Sequence, residues 1–196
     1  MYKNYAKRKL DCCIAFIVLI IGLAPMLIIA FAIKIDSHGP VLFKQDRIGK
    51  DGKVFKMLKF RSMYIGAEKK GTGDRRVTRV GRFMRATSID ELPQCINILC
   101  GDMSLIGPRP PLTYHPWCYE EYDDDQRRMF EVRPGITGWA QVHGRKNVEW
   151  NERIKMNVWY VDHMSLLLDL KILMMTVFKV ISNVDNKNTN ETVMKI

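Results

Sequence analysis

Two adjacent carboxylates, Asp90 and Glu91, are the residues whose type and spacing are best suited to chemistry in this chain. They follow Ser88 and precede Pro93, a pattern typical of a helix start, where Ser88 and Glu91 would form a capping box. The free N–H groups and the positive dipole end at such a position favour anions, including phosphate. Helix capping alone would explain both carboxylates equally well, so their surroundings must distinguish a structural role from a chemical one.

Basic residues accompany the acidic pair. Arg85 lies just upstream, and Arg109 lies in a Pro-Arg-Pro sequence whose prolines hold the backbone extended and reduce the entropy lost when a guanidinium binds phosphate. Lys59 alternates with apolar residues, as do Lys56 and Arg61, so we expect these three cations on one face of a strand. Carboxylates are natural ligands of divalent cations, and the combination therefore predicts a site for a diphosphate and a divalent cation.

Residues 12–33 form an apolar run without a charged side chain. A helix of this length extends over roughly 33 Å, enough to cross the hydrocarbon layer of a membrane. Basic residues flank both ends of the run, and such flanks favour the cytoplasmic side. Pro25, near the middle, removes a backbone hydrogen bond and predicts a break. A re-entrant helix that breaks at Pro25 and returns to the same face satisfies these observations best.

Three other interpretations of this run fit the sequence less well. A kinked spanning helix fits its length but conflicts with the two basic flanks. A buried core helix of a soluble protein is usually shorter. A cleaved signal peptide is disfavoured because the run is too long and no small-residue cleavage site follows it.

The remaining sequence predicts a β-hairpin followed by helices and loops. The hairpin strands are expected at residues 41–46 and 53–61, around a Gly-Lys-Asp-Gly turn. Helical spacing is present at residues 78–86, 89–99, 114–130, 149–161 and 165–181, and loops are expected at 66–76 and 133–138. The last helix is largely apolar but interrupted by charges, so it suits either the membrane interface or packing against the core.

Composition narrows the classes of partner. The formal net charge of +10 and a pI near 9.4 indicate an anionic partner. No nucleic-acid-binding module is recognisable, so we expect no nucleic acid partner, and anionic lipid or a phosphorylated substrate is favoured. The five cysteines form no CxxC pair, and neither a zinc site nor a disulfide framework is expected.

Six sequence motifs, in order along nearly the whole chain, resemble the bacterial sugar transferase family, the small monotopic polyprenyl-phosphate phosphoglycosyl transferases. The matching segments are Lys7-Arg8-x-x-Asp11, the apolar helix with Pro25, Lys59-Phe-Arg-Ser-Met63, Ser88-Ile-Asp-Glu-Leu-Pro-Gln94, Gly101-Asp-Met-Ser-Leu-Ile-Gly-Pro-Arg-Pro110 and Arg133-Pro-Gly-Ile-Thr-Gly138.

The resemblance implies a two-step transfer of a sugar phosphate. Asp90 would attack the β-phosphorus of a UDP-sugar, expel UMP and form an aspartyl phosphosugar, which polyprenol (undecaprenol) phosphate then attacks. Mg²⁺, with Glu91 as its ligand, would neutralise phosphate charge together with Arg85 and Arg109.

Roles are also implied for residues outside the acidic pair. Lys59 would bind phosphate, and Arg133 would help to hold the nucleotide. Lys7, Arg8 and Asp11 would either anchor the first helix at the headgroups or organise that helix or the lipid phosphate.

The expected fold is α+β and mainly helical. It comprises a re-entrant membrane anchor over residues 1–36, a catalytic domain with a small hairpin and interfacial amphipathic helices over 37–182, and a mobile polar tail over 183–196. We expect a monotopic protein of the bacterial cytoplasmic membrane, with its catalytic domain on the cytoplasmic face. Two other functions remain open: a membrane-anchored metal-dependent phosphodiesterase, and a basic peripheral protein that binds anionic lipid.

Overall fold

The structure, a computed structural model, describes residues 2–66, 76–143 and 148–182. It opens with a π-helical turn, Tyr2–Ala6, and a 30-residue helix α1, Lys7–Asp36. The buried positions of α1 recur four or seven residues apart and form one stripe along its length: Lys7, Asp11, Ala15, Gly22, Ile29 and Ile33. The opposite side exposes large apolar residues such as Ile21, Ile28 and Phe31.

The break predicted at Pro25 is not observed, because α1 continues across this residue as a single helix. α1 is the one helix in the described part of the chain that is long and apolar enough to cross a membrane. Both of its ends contact the rest of the protein: Arg8 donates to Ile98 O, and Asp36 accepts from Val80 N. The re-entrant course itself stays a prediction.

The predicted hairpin is confirmed. Strands β1, Leu42–Ile48, and β2, Val54–Phe60, pair antiparallel, with Leu42 opposite Phe60 and Ile48 opposite Val54. The turn between them contains Asp51 and Gly52 at positive φ. Gly52 also needs its small size, because a Cβ there would lie 2.6 Å from the Tyr119 ring. Tyr119 is therefore held directly beneath the turn.

A second sheet joins the segment predicted as a loop over residues 133–138 to one for which the sequence predicted no element. Strands β3, Ser104–Ile106, and β4, Gly135–Thr137, pair in parallel. The backbones approach very closely next to this pair, since a Cβ on Gly135 would lie 2.1 Å from Gly107 N. Three-residue strands carry too little periodicity to be recognised along one sequence. The pair brings the Gly107–Pro110 loop next to the helix that follows β4.

The shorter helices follow the prediction only in part. α2, Arg79–Thr87, starts at the N-cap Thr78, whose Oγ accepts from Gly81 N at 2.9 Å. The predicted helix over residues 89–99 is divided into a 3₁₀ turn, Ile89–Glu91, and α3, Gln94–Cys100. The predicted helix over 114–130 is wrong: only short turns and α4, Asp124–Arg127, form there, around a core of Tyr122, Met129 and Phe130.

Three helices complete the fold: α5, Trp139–His143; α6, Trp150–His163; and α7, Leu166–Ser182. One side of α7 packs on the core through Ile172, which is fully buried, while Leu167 and Phe178 are more than 70% exposed. The molecule is thus mainly helical with small sheets. Most of the predicted loop over residues 66–76 and the whole predicted tail over 183–196 lie outside the described residues.

Candidate active site

The acidic pair lies in a turn between two helices. α2 ends at Ser88, which adopts a left-handed conformation with φ 57° and donates its N–H to Met84 O. The chain then turns sharply and presents Asp90 and Glu91 in the 3₁₀ turn that precedes α3. The predicted capping box is wrong, since the Ser88 side chain makes no capping hydrogen bond. The N-cap residues of the 3₁₀ turn and of α3, Ser88 and Pro93, make no side-chain capping hydrogen bond, and the Asp90 carboxylate accepts a hydrogen bond from its own backbone N–H.

Lys59 contacts this pair directly. Its Nζ lies 2.5 Å from Oε1 of Glu91, and both side chains are half-buried. The expectation that Lys56, Lys59 and Arg61 share one face is wrong. Lys56 pairs with Asp46 on the exposed side of the hairpin, and Arg61 is buried with its guanidinium donating to the carbonyls of Ser37 and His38. Strand geometry separates positions 56 and 59 onto opposite faces because side chains alternate.

Arg85 lies on the other side of the acidic pair. Its Nε donates to Ser62 Oγ at 3.0 Å, which orients the guanidinium beside the turn. The pKa of Asp90 is raised from 3.8 to about 6, first by burial and then by the charge of Glu91, while Lys59 and Arg85 oppose the rise. A carboxylate with this pKa is ionised at neutral pH but more basic than an ordinary aspartate. It is therefore a stronger nucleophile toward phosphorus once the phosphate charge is neutralised.

Arg109 is exposed on the loop after β3, and a second arginine supports that loop. Arg47 donates from Nη1 to Pro110 O at 2.9 Å and from Nη2 to Gln45 Oε1 at 2.7 Å. Burial lowers the pKa of Arg47 to about 10, and the nearby charge of Arg109 adds to this effect. Two guanidinium groups held this close favour an anion between them. Sequence reasoning missed Arg47 because it appears only as one of several basic residues after α1.

A narrow cleft connects these groups. It is lined by Arg47, Lys59, Glu91, Gln94, Arg109 and Gln141, among others. Three cations face one carboxylate in this cleft, so an anion such as a diphosphate would be attracted to it. Asp90 is not among the lining residues but lies next to Glu91, within the field of Lys59 and Arg85. The structure thus brings together four predicted residues, Asp90, Glu91, Lys59 and Arg85, with Arg109 at the rim.

The carboxylate pair is compatible with a divalent cation that arrives with phosphate. In the described part of the chain, no cluster of three acidic, histidine or cysteine side chains could hold a metal ion by itself. Magnesium commonly binds one or two carboxylates and completes its shell with substrate phosphates and water. The Lys59 ion pair engages Oε1 of Glu91, and Oε2 has no partner among the described residues. Asp90 and Glu91 therefore fit Mg²⁺ bound jointly with a diphosphate.

Lys7 and Asp11 belong to a second, buried network far along the sequence from the acidic pair. Lys7 Nζ lies 2.6 Å from Asp169 Oδ2 and 3.7 Å from Asp11 Oδ1. Ser104 donates to Asp11 Oδ2 at 2.5 Å, and Tyr160 donates to Asp169 Oδ1 at 2.7 Å. This network ties the start of α1 to β3, α6 and α7. Asp169 was not recognised from the sequence, where it reads only as a charge that interrupts an apolar helix.

Arg8 and Arg133 also lie apart from the acidic pair. Arg8 donates to the carbonyls of Ile98 and Leu99, at the C-terminal end of α3. A cation at this position stabilises the helix, because the C-terminal end of the helix dipole is negative. Arg133 donates from Nε to Gly101 O at 2.7 Å and shares a cleft of about 360 Å³ with Lys7 and Arg8. The role of Arg133 in holding the nucleotide stays a prediction, and Arg133 is not among the residues that line the narrow cleft at the acidic pair. Arg133 joins the network at the start of α1 instead.

Comparison with known proteins identifies the family of this chain. The sequence model of the family described as bacterial sugar transferase matches residues 2–183 of this chain. The uncharacterized sugar transferase EpsL of Bacillus subtilis is 43% identical over 94% of this chain and 91% of its own length. The UDP-glucose:undecaprenyl-phosphate glucose-1-phosphate transferase of Escherichia coli is 40% identical over 88% of this chain.

A third relative acts on a different sugar. The UDP-N-acetylgalactosamine-undecaprenyl-phosphate N-acetylgalactosaminephosphotransferase of Aeromonas hydrophila is 42% identical over 88% of this chain. The chain spans only 39% of the length of the Escherichia coli relative and 43% of that of the Aeromonas relative. The family match nevertheless covers almost every element described above, from α1 to α7. The chain belongs to the bacterial sugar transferase family.

Proposed function

We propose that this protein transfers a sugar 1-phosphate from a UDP-sugar to polyprenol phosphate, as the first membrane step of bacterial glycoconjugate assembly. The observation that carries the proposal is the acidic pair Asp90–Glu91 beside Lys59, Arg85 and the Arg47–Arg109 cleft. Relatives whose names state this reaction, with UDP-glucose or UDP-N-acetylgalactosamine as donor, support it.

In the first step, an Oδ atom of Asp90 attacks the β-phosphorus of the UDP-sugar. A bond forms between Asp90 and this phosphorus, and the bond from the phosphorus to the bridging oxygen breaks, so UMP leaves with that electron pair. Lys59, Arg85 and Arg109 lower the barrier by neutralising negative charge on the phosphates. The raised pKa of Asp90 supports its role as nucleophile, because basicity and nucleophilicity increase together.

In the second step, a phosphate oxygen of polyprenol phosphate attacks the phosphorus of the aspartyl phosphosugar. The new bond gives a polyprenyl diphosphate sugar, and the bond to Asp90 breaks and restores the carboxylate. Neither step requires a net gain or loss of protons. A covalent intermediate also suits two substrates of opposite solubility, because they do not have to be bound together.

Mg²⁺, when bound with the donor, would supply positive charge to the diphosphate, and Glu91 is its proposed protein ligand. Lys59 holds the Glu91 carboxylate in place through their 2.5 Å ion pair. Arg47 keeps the Pro-Arg-Pro loop, and with it Arg109, against the same cleft. These residues act by binding and orienting the diphosphate.

Membrane attachment from one face, the cytoplasmic one, is part of the proposal. It is supported by the contacts along α1: a spanning helix would separate its two ends by the bilayer, yet Arg8 near one end and Asp36 at the other bond to the same body of protein. The exposed apolar side of α1 and that of α7 would then lie in the membrane or its interface.

The test is to incubate the purified protein with Mg²⁺, undecaprenyl phosphate and a panel of UDP-sugars, and to identify the nucleotide and the lipid formed. The proposal expects UMP and a lipid diphosphate sugar with at least one donor. Release of UDP would indicate an ordinary glycosyl transferase, and release of sugar phosphate into water would indicate the phosphodiesterase. Either result would overturn the proposal.

A further inference from the structure

An apolar cleft of about 490 Å³ lies between the membrane helix α1 and the last helix α7. Its volume lies within the range of small-molecule sites, roughly 300–1,000 Å³. The apolar lining includes Val18 on α1 and Val180 on α7. Between these two helices it also includes Leu92, Leu105, Ile136 and Val142. α1 contributes one lining residue and α7 three, and the others come from the segments between these two helices.

The inner end of this cleft reaches the catalytic groups. Glu91, Arg109 and Gln141 line both this apolar cleft and the narrow cationic cleft described above. A single ligand could therefore place a charged group against Glu91 and Arg109 and extend an apolar chain toward α1 and α7. A nucleotide or a free sugar has no such chain.

Gln141 is the second observation that indicates a ligand here. Both polar atoms of its side-chain amide are buried, and neither has a hydrogen-bond partner among the described residues. A buried amide without hydrogen-bond partners is unfavourable, and a ligand that supplies one relieves this cost. Because Gln141 lines the junction of the two clefts, a bound phosphate could accept a hydrogen bond from its Nε2.

We propose that the cleft between α1 and α7 holds the isoprene units nearest the phosphate of the polyprenol phosphate, with Gln141 donating to that phosphate. This inference rests on the proposed function and adds the location of its lipid substrate. An isoprenoid chain matches the apolar walls, and continuity with the exposed apolar faces of α1 and α7 lets the rest of the chain stay in the membrane. The acceptor phosphate then lies next to the acidic pair.

The test uses two matched substitutions on α7 in the full chain. Val180 lines the cleft and is 42% exposed, whereas Val177 does not line it and is 46% exposed. Val180→Trp should fill part of the cleft and raise the KM for undecaprenyl phosphate at least tenfold. Val177→Trp adds the same ring to the same helix and should leave that KM within twofold. Equal KM values for the two variants would overturn the inference.

Single-turnover measurements separate this inference from the proposed function. UMP formed without acceptor reports the first step alone, and we expect Val180→Trp to keep its rate within about threefold. If the unsubstituted protein forms no UMP, the proposed function fails. If it forms UMP normally but both tryptophan variants use the lipid equally well, only the inference about the cleft fails.

A short acceptor distinguishes the cleft from the membrane surface. Geranyl phosphate carries two isoprene units and dissolves in detergent, so its use does not depend on membrane insertion of the protein. The Val180→Trp defect should persist with this acceptor if the cleft binds the units nearest the phosphate. A defect that disappears with geranyl phosphate would place the effect in membrane association and would overturn the inference.

Gln141→Met tests the polar end of the site, because it keeps the length of the side chain and removes the amide. We expect the KM for the lipid acceptor to rise at least tenfold and more than the KM for the UDP-sugar, and the midpoint of thermal unfolding not to fall, since no hydrogen bond within the protein is lost. A variant that loses UMP formation but keeps its KM for the lipid would assign Gln141 to the nucleotide sugar instead and contradict the proposed contact.

Discussion

At the scale of single residues, Asp90 combines a raised pKa with nearby cations that can neutralise a phosphate. Burial makes its negative charge costly, and the Lys59 and Arg85 charges offset only part of this cost. Buried ionisable groups with a shifted pKa often mark functional sites. The protein retains such a charge although it lowers the stability of the fold. Removal of the Asp90 carboxylate should therefore lower the activity of the protein and raise its stability.

Asp90→Asn should reduce UMP formation by at least 10³-fold and raise the stability of the fold. The folded pKa of about 6 exceeds the ordinary 3.8, so ionisation of Asp90 destabilises the native state as pH rises through this window. At pH 7.5 the asparagine removes this cost, and we expect a gain of about 1–2 kcal/mol after allowance for solvent contact. UMP assays and thermal unfolding measure the two effects.

The control for this variant is Asp46→Asn, which removes an exposed carboxylate paired with Lys56 on the hairpin. It should leave UMP formation within twofold and stability within about 0.5 kcal/mol. Near-normal activity of Asp90→Asn would exclude Asp90 as the nucleophile. Mass spectrometry of the trapped intermediate provides a direct check, since a phosphosugar on Glu91 would exchange the roles of the two carboxylates.

The pH dependence of kcat/KM for the UDP-sugar should show the titration of Asp90 in the free enzyme. Because only the carboxylate attacks phosphorus, the rate should be level above pH 7 and fall tenfold per pH unit below an apparent pKa of about 6. Initial rates of UMP formation between pH 4.5 and 8.5 measure this profile. A rate that stays level down to pH 5 would contradict the assignment.

Lys59→Met tests the cause of this pKa. Lys59 opposes the rise in the pKa of Asp90, so its removal should move the acid limb of the profile to higher pH as well as lower the rate. Lys56→Met is the matched control, because Lys56 lies in the same strand but pairs with Asp46 on the exposed side. An unshifted profile in Lys59→Met would show that another group controls the titration.

At the scale of elements, the long helices and the hairpin were predictable because their hydrophobic periodicity extends over enough residues. The course of the short segments could not be predicted from the sequence. Residues 114–130 have helical spacing, but the packing of Tyr122, Met129 and Phe130 into one core cluster overrides it. Likewise, the left-handed Ser88 that presents the acidic pair leaves no periodic signal. Pairing across long sequence distances, as in β3–β4, must be seen in three dimensions.

The network at the start of α1 predicts a large effect on stability. Lys7 lies between the carboxylates of Asp11 and Asp169, and all three side chains are buried. Lys7→Met leaves two buried negative charges without their cation, so we expect a loss of about 3 kcal/mol. Denaturant unfolding of the detergent-solubilised protein measures it.

Two comparisons show whether this loss comes from the unpaired charge. Lys3→Met removes a cation of the same type from an exposed pair with Glu131, and should cost less than about 1 kcal/mol. The double variant Lys7→Met/Asp169→Asn should recover part of the loss, because it also removes one of the uncompensated charges. Strictly additive losses would contradict a direct interaction between Lys7 and Asp169.

At the scale of the whole molecule, the candidate site was predictable as a set of residue types but not as a geometry. Asp90, Glu91, Lys59 and Arg85 were all expected, and they lie together. Arg133 was also predicted to bind substrate, and it lies in the cleft at the start of α1, where its Nε donates to Gly101 O. The sequence order of motifs does not specify which side of a sheet each motif faces.

The same body of protein packs along one stripe of α1 from Lys7 to Ile33. We therefore predict that both ends of this helix are accessible from one side of the membrane, the side of the acidic pair. Tyr5→Cys and Ile35→Cys place reporters near the two ends, at positions that are each 72% exposed. Tyr114→Cys, at a position 71% exposed, reports the catalytic side.

Each reporter is placed in a variant without the native cysteines that retains UMP formation, and a membrane-impermeant maleimide is added to sealed vesicles of both orientations. All three reporters should react in inside-out vesicles and remain protected in right-side-out vesicles. A spanning helix would instead expose the two ends in opposite orientations. That outcome would require the body of protein packed along α1 to lie within the bilayer, where charged residues such as Lys56 and Asp46 on the exposed face of the hairpin would be strongly unfavourable.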